Sequence, residues 1–261
     1  MRITCEATSA HRAQLGAWFA AQWGGDDLLE AGPYPEPVLA LGDAGELLGG
    51  LVFTRAPLDG LADEVVWVNA LYVAPRHRRQ GVASCLLHAA QFQAQHHSGL
   101  KRLYAYTDLA DLYLQLGWRI ERTSAQGCVL SHATSPGIST FTFGDSRSLC
   151  DRLLRLVRAG AKTATCDALA AFEAGGEVMP ITGRRDVALN WDGSPALTIE
   201  TTAVEIARFC DVDESFALAE GENDDLAGWR RDHQAYFERN GCFSPEMELV
   251  LERFELVYEF S

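Results

Sequence analysis

The sequence predicts an α+β protein made of two consecutive domains. Three observations lead there. Strand-like and helix-like segments interleave along the whole chain. A short polar, turn-forming stretch from Ser131 to Gly137 separates two apolar-rich segments. The charge is also unevenly shared: residues 1–137 hold 10 Lys and Arg against 13 Asp and Glu, whereas residues 138–261 hold 12 against 23. A length of 261 residues suits two domains of ordinary size. The boundaries are set at 1–135 and 139–261.

In the first half, Arg2–Glu6 reads as a strand and His11–Trp23 as a helix, with Leu15, Trp18, Phe19 and Gln22 at helical spacing. A loop-rich stretch follows from Gly24 to Pro37. Val38–Leu41 and Glu46–Thr54 form a hairpin across Gly42-Asp43-Ala44-Gly45. Val65–Val73 is a strongly β-prone run. Gly81–His97 is helical, with a stripe of Cys85, Leu86, Ala89 and Phe92. Arg102–Tyr106 is a strand, Leu109–Leu116 a short helix, and the strands Trp118–Thr123 and Cys128–His132 complete one mixed sheet. The second half opens with a helix over Ser146–Ala159, capped by Asp145 or Ser146 and stopped by Gly160. A short helix near Asp167–Ala174, strands at Asp186–Trp191 and Ala196–Val204, a helix over Asp224–Arg239 and a strand over Leu249–Phe260 follow.

Composition narrows the classes of function. No stretch of 18 apolar residues is present, so no membrane partner is expected. The N-terminus shows no apolar signal core, and seven cysteines (5, 85, 128, 150, 166, 210 and 242) are scattered singly without a CxxC pair. Reduced thiols, a cytoplasmic location and no metal are expected. The second half carries −11 of the net −14. Binding to long RNA or DNA rests on Lys and Arg neutralising phosphates, so a long nucleic acid is not the expected partner.

The richest stretch of the first half runs from Trp67 to Ala83. A strand ends at Val73, Pro75 breaks it, and a basic loop containing Arg76, Arg78 and Arg79 leads to a helix starting near Gly81. A helix N-terminus offers unpaired N–H groups that suit a pyrophosphate. Gly81 permits close approach of the backbone, and the small Ala83 keeps that approach tight. Arg78-Arg79-Gln80-Gly81-Val82-Ala83, after a Leu71-Tyr72-Val73-x-Pro75 strand, resembles the R/Q-x-x-G-x-G/A loop of the GNAT superfamily of N-acetyltransferases. The resemblance covers about residues 1–133. It implies a mixed β-sheet with flanking helices and acetyl-CoA as co-substrate. The groups it implies around acetyl-CoA are Leu71, Tyr72, Val73, Arg78, Arg79, Gln80, Gly81, Val82, Ala83 and Ser84.

Tyr113-Leu-Gln-Leu-Gly-Trp118 resembles a second family element, Y-x-x-x-G-F, whose tyrosine protonates the departing thiolate. A phenol is a sensible donor to a thiolate of similar basicity. Packing on the sheet is the alternative for Tyr113. Many relatives carry glutamates where this chain has Asn69 and Ala70. Glu64 is the nearest acid, and it shares a face with Asn69 only across a bulge. Glu64 as base, with Asn69 beside it in the site, a well-ordered water as proton relay, and Glu64 as a solvated residue stay open, as does the small-molecule amine acceptor.

In the second half, Gly160-Ala-Lys162-Thr-Ala-Thr165 places a lysine and a threonine just beyond a helix, where one further tight turn sets both on one side. A partly desolvated lysine can lose its proton near neutral pH and activate a hydroxyl, and a carboxylate such as Glu222 can orient it. Lys162 as a cap on helix carbonyls, Thr165 as turn chemistry and Glu222 as a solvated acid is the other reading. The G-x-K-T-x-T element, the Leu218–Asn223 acidic loop and the helix with Trp229, His233, Tyr236 and Phe237 resemble the ASCH domain, a PUA-like β-barrel. This resemblance covers residues 139–261. Some ASCH proteins hydrolyse N4-acetylcytidine with a lysine, a threonine and a glutamate, and Lys162, Thr165 and Glu222 match those positions. Others are nucleases or RNA-binding modules. The resemblances imply acetyl transfer in the first domain and binding or deacylation of a nucleoside-like ligand in the second. The alternatives are a purely binding ASCH domain and a non-enzymatic acetyl-CoA sensor. Trp229 and His233, four apart, line the pocket or pack in the core.

Overall fold

A computed structural model describes residues 1–24, 29, 34–97, 99–135, 137–175, 178–241 and 243–261. Residues 25–28 and 30–33 of the loop-rich stretch, Pro136 of the boundary stretch and Cys242 lie outside the described residues. The chain forms two compact units, Met1–Ile138 with Phe260–Ser261, and Ser139–Glu259.

The first unit runs β1 (Arg2–Thr4), α1 (Ser9–Trp23), β2 (Val38–Leu41), β3 (Leu47–Ala56), β4 (Val65–Val73), α2 (Val82–His96), β5 (Arg102–Thr107), α3 (Ala110–Leu114), β6 (Arg119–Ser124) and β7 (Gly127–Ala133). Its sheet order is β1-β2-β3-β4-β5-β7-β6. β4 and β5 pair in parallel, which requires a crossover, and α2 supplies it. The other neighbours are antiparallel. Thr8 caps α1 by accepting from the His11 amide at 3.2 Å. Leu15 and Phe19, one turn apart, bury against Leu39, Leu47 and Val52 of the sheet.

The second unit runs β8 (Thr140–Phe141), α4 (Arg147–Arg158), β9 (Ala164–Ala168), α5 (Leu169–Glu173), β10 (Arg185–Leu189), β11 (Pro195–Arg208), α6 (Glu214–Ala219), α7 (Leu226–Arg239) and β12 (Glu248–Phe260). Its strands lie in the order β9-β12-β11-β10-β8. The apolar stripe of α4, with Cys150, Leu153, Leu154 and Val157, packs on Ala188, Leu197, Ile199 and Phe254. A second cluster joins Trp229 and Phe237 of α7 to Phe209, Phe216, Leu249 and Leu251.

Three expectations change. The stretch read as a further tight turn and then a short helix from about Asp167 is instead a strand as far as Ala168, pairing antiparallel with β12 from Ala164↔Arg253 to Ala168↔Leu249, and the helix begins at Leu169. A five-residue strand has no local signature until its partner is in place. α6, capped by the Asp213 carboxylate on the Phe216 amide at 2.7 Å, was not expected at all. The barrel is not closed: β8 and β9 end the sheet among the described pairings. β8 has two residues and β9 five, too little edge to complete a ladder around a cylinder. Curvature instead comes from register shifts in β11 at Thr198/Ile199 and Thr201/Ala203.

No described helix is long and apolar enough to cross a membrane. The cysteines described, Cys5, Cys85, Cys128, Cys150, Cys166 and Cys210, are not joined in disulfides among the described residues. Leu154 is 1% exposed at the centre of the α4 cluster. Leu154→Ala should cost about 2–5 kcal/mol through lost burial and a residual cavity, read as a lower urea midpoint at unchanged slope.

Candidate functional sites

In the first unit the site is built by an interruption in β4. From Val65 to Asn69 the strand pairs regularly with Ala56 to Val52, and it resumes with Tyr72 opposite Gly50. Ala70 and Leu71 therefore face Leu51 alone, which is a β-bulge. Ala70 sits at φ +51°, and its amide donates to the Asn69 side-chain oxygen at 2.9 Å. β4 and β5 are paired only at Val66↔Leu103 and Trp67↔Tyr104, so the two strands part beyond Trp67. β4 then passes through a tight turn at Pro75–His77 into the loop before α2.

That loop ends in two left-handed residues, Arg79 at φ +62° and Gly81 at φ +80°. Gly81 is the N-cap of α2 and has no side chain to satisfy the first-turn amides. A Cβ built on Gly81 would meet nothing within 4 Å, so the approach to those amides is open. Arg78 is drawn back onto the strand: its Nε donates to the Val73 carbonyl at 2.9 Å, and its guanidinium lies 5.5 Å from the Tyr72 ring centre. Gln80 donates to the Arg76 carbonyl at 3.1 Å and holds the loop closed. Val82 is buried, while Ala83 and Ser84 are partly accessible.

Tyr113 is buried in α3, edge-on to Trp118 at 5.2 Å. Burial pushes its phenol well above the ordinary value of 10, so it carries its proton throughout the neutral range but is a weaker acid than the match to a thiolate expected from the sequence. Glu64 is exposed just ahead of β4, and Asn69 is exposed and donates to the Thr54 hydroxyl at 3.4 Å. The bulge falls after Asn69, not between the two residues. It does not turn Glu64 onto the face of Asn69.

In the second unit a cavity of about 670 Å³ is lined by Lys162, Thr165 and Glu222 together. Lys162 is 2% exposed. Its Nζ donates to Glu222 Oε1 at 2.9 Å and lies 3.7 Å from Glu220 Oε2. The second oxygen of Glu222 accepts from Arg152 at 3.1 Å. Burial alone would discharge the lysine, but Glu220 and Glu222 outweigh it and raise the pKa above 10.5. The expectation of a lysine that loses its proton near neutral pH is corrected: Lys162 is held as an ammonium. Glu220 follows the same balance. Burial pushes it up, and the charges of Lys162 and His233 bring it down to about 2.

Thr165 reaches the cavity from β9 rather than from a further tight turn. Trp229 is wholly buried in the core, and His233 stacks on it at 4.2 Å and faces the cavity. The two readings of that pair are thus divided between its members. Across the cavity, Arg184 forks onto Asp186 at 2.8 Å, and the Thr201 hydroxyl donates to Glu252 at 2.6 Å. Burial pushes both carboxyl groups up.

Residues absent from the sequence-based candidates are Glu220, Cys166 and Arg152. Glu220 hydrogen-bonds His233 Nε2 at 2.7 Å and also engages the Cys166 thiol. The paired acids of Glu220-Gly-Glu222 were the available signal, since a glycine between two carboxylates lets both turn toward one cation.

A bulged strand running through a loop into an open helix start in one unit, and a buried lysine–carboxylate pocket in the other, give the two units two different candidate sites. Residues 8–118 match the acetyltransferase (GNAT) family, and residues 139–258 match the ASCH domain. The chain joins a GNAT-family acetyltransferase domain to an ASCH domain. It is similar to the ASCH domain from Lactobacillus crispatus JV V101 at 36% identity, covering 46% of this chain and 80% of that one, with a TM-score of 0.43. A protein from Enterococcus faecalis V583 is 37% identical over 46% of this chain and 77% of its own, with a TM-score of 0.42. A GNAT family N-acetyltransferase from Escherichia coli in complex with CoA is 17% identical over 50% of this chain and 79% of its own, with a TM-score of 0.40. No curated protein matches the chain.

Gly221 sits between the two carboxylates at φ +71°, and a Cβ there would run into the Ala161 carbonyl. Gly221→Ala should destabilise the protein by about 1–3 kcal/mol through backbone strain. Urea unfolding checks it, and a midpoint within error of the parent's would contradict it.

Proposed function

We propose that residues 1–135 are an acetyl-CoA-dependent N-acetyltransferase domain, and that residues 139–261 bind and deacylate a nucleoside-like ligand such as N4-acetylcytidine. The observation that supports the first part is the bulged β4 running into a helix whose open N-cap is Gly81. First-turn amides with no side-chain cap suit a pyrophosphate, so Gly81, Val82, Ala83 and Ser84 would hold it, with Arg79 and Gln80 at the rim and Arg78 bracing the strand end. Leu71, Tyr72 and Val73 would border the thioester arm. A small-molecule amine attacks the thioester carbonyl, the C–S bond breaks, and Tyr113 donates its proton to the leaving sulfur. The proton lost by the amine passes to Glu64 or to water. Asn69 can hold such a water but cannot itself take the proton.

Support for the second part is the convergence of Lys162, Thr165 and Glu222 on one cavity. With Lys162 fixed as an ammonium, its role is electrostatic: it stabilises the oxyanion formed as Thr165 or a water attacks the amide carbonyl. Glu222 takes the proton of the attacking group and returns it to the amine as the C–N bond breaks; where Thr165 is the attacking group, a water then hydrolyses the acyl ester left on it, releasing the acid and restoring the hydroxyl. The saturation of Lys162 by two carboxylates also favours a second reading, in which the same cavity binds its ligand without turnover.

Calorimetry should show acetyl-CoA binding weakened about tenfold or more in Gly81→Glu, since one misplaced charge at such a site costs ~1.4 kcal/mol or more. Tyr113→Phe should keep that affinity and slow thiol release with an amine panel by about 10²–10⁴. Unchanged binding in the first variant would remove the loop from the site, and an unchanged rate in the second would leave Tyr113 a packing residue.

Lys162→Ala should abolish hydrolysis of N4-acetylcytidine and leave acetyl-CoA binding intact. Full hydrolysis in that variant would overturn the deacylase reading. Ligand binding without turnover in the parent protein would select the binding reading.

A further inference from the structure

The cavity of the second unit holds a group of side chains that the reaction above does not use. The Cys166 sulfur, a Glu220 oxygen and a His233 nitrogen lie within 4.8 Å of one another. They come from three different elements, β9, the end of α6 and α7, so the fold and not local sequence brings them together. We propose that Cys166, Glu220 and His233 form a divalent transition-metal site of the zinc type, with its fourth position open to the cavity.

The donor set fits such an ion. Sulfur, nitrogen and oxygen donors from three protein residues with one position left open are the pattern of zinc sites that keep an exchangeable ligand. A tetrahedral ion needs its ligand atoms roughly 3.5 Å apart, within reach of small side-chain rotations from the present spacing. All three residues line the same cavity, so the open position faces the ligand space.

Two further observations point to a ligand at this place. The first is the orientation of His233. Its Nδ1 contacts the Trp229 carbonyl at 3.1 Å and its ring stacks on Trp229 at 4.2 Å, which fixes the ring with Nε2 directed at the cluster. A backbone carbonyl on the far nitrogen is the usual way a metal-binding histidine is held. The second is Glu220 Oε1, buried in a residue that is 1% exposed, which makes no hydrogen bond of good geometry and has only the weak Cys166 thiol of the same cluster to turn to. A buried carboxylate oxygen so poorly served costs free energy, and a cation would remove that cost.

Charge is the objection, because Lys162 lies 3.7 Å from Glu220. Coordination answers it. His233 Nε2 already lies 2.7 Å from Glu220, so an ion between them would take that nitrogen, the carboxylate and the Cys166 sulfur as ligands. A thiolate and a carboxylate together offset an ion of charge +2. Lys162 keeps its shorter bond to Glu222 at 2.9 Å.

The test uses the full chain stripped of metal with a chelator and titrated with cobalt(II) and zinc(II) alone. One equivalent of cobalt should give a thiolate-to-metal absorption band and the intense visible bands of a tetrahedral site, and zinc should abolish both. Cys166→Ser should lose the thiolate band, and Glu220→Gln and His233→Ala should each bind zinc tenfold or more weaker. Cys210→Ser should change nothing. In the unaltered protein, zinc should slow alkylation of Cys166, mapped by mass spectrometry, and not that of Cys210. This arm needs no variant to fold. No saturable binding, a cobalt spectrum without a thiolate band, or equal alkylation of Cys166 with and without zinc would overturn the proposal. None of these readouts depends on deacylation, so the site stands or falls apart from that reading.

Discussion

The second unit is organised around one ammonium group that has been taken out of water. An unpaired lysine at 2% exposure would be too costly to keep, and removing one partner of a buried ion pair typically costs about 3–5 kcal/mol. The surrounding chain is arranged to prevent that. The Lys162 and Ala161 amides both donate to the Leu156 carbonyl at the end of α4, and the Thr163 amide donates to the Ala219 carbonyl at 2.7 Å. The second of these bonds ties the lysine loop to the end of α6, where Glu220 begins the acidic loop. Gly221, in the left-handed region, then turns the chain so that Glu222 reaches the same nitrogen. A buried pair adds little net stability over an apolar filling, but it fixes which backbone conformation the loop takes. That fixed loop is what brings Glu222 to a cavity also lined by Thr165.

The first unit relies on a different constraint, the mismatch between a bulged strand and its parallel neighbour. A regular β4 would pair with β5 along its length and leave no gap. The bulge at Ala70–Leu71 and the parting of the strands after Trp67 end that pairing where the chain turns toward α2. The helix start then contributes donors without a formal positive charge. Such donors can be presented even in a half whose balance of charged residues is itself slightly acidic.

How far the sequence revealed these features depended on the range of the interactions. Helices α1, α2, α4 and α7 were legible because their apolar stripes and caps are local, as with Ser146 accepting from the Leu149 amide to start α4. The loop from Arg78 to Ala83 was legible for the same reason: strand, break, glycine and helix follow one another directly. β9 was not, because its five residues become a strand only against β12, more than 80 positions away. The state of Lys162 was also hidden. Desolvation was foreseeable from an apolar neighbourhood, but its sign reverses once two carboxylates 58 and 60 residues downstream close on the nitrogen. The Glu220–His233–Cys166 contacts were hidden too, since no spacing rule links three elements that meet only in the folded unit.

The acidic balance of the second half gains a physical meaning from the same contacts. Its cations are largely spent inside the unit: Arg152, Arg158, Lys162, Arg184, Arg185, Arg208, Arg231 and Arg239 each face a carboxylate. Arg230 donates to the carbonyls of Cys210 and Val212 instead. Counterion release on a polynucleotide needs cations that are available to phosphates, and cations already paired with acids would have to exchange one partner for another with little gain. The surplus carboxylates add repulsion at long range. A small ligand with no phosphate chain avoids that repulsion. It meets instead a cavity where the charges are matched in pairs and the wall offers Phe143, Phe172 and Tyr236 as apolar and stacking surfaces. Such a wall would accommodate the planar base of the ligand proposed above, with the paired charges left to hydrogen-bond its edges.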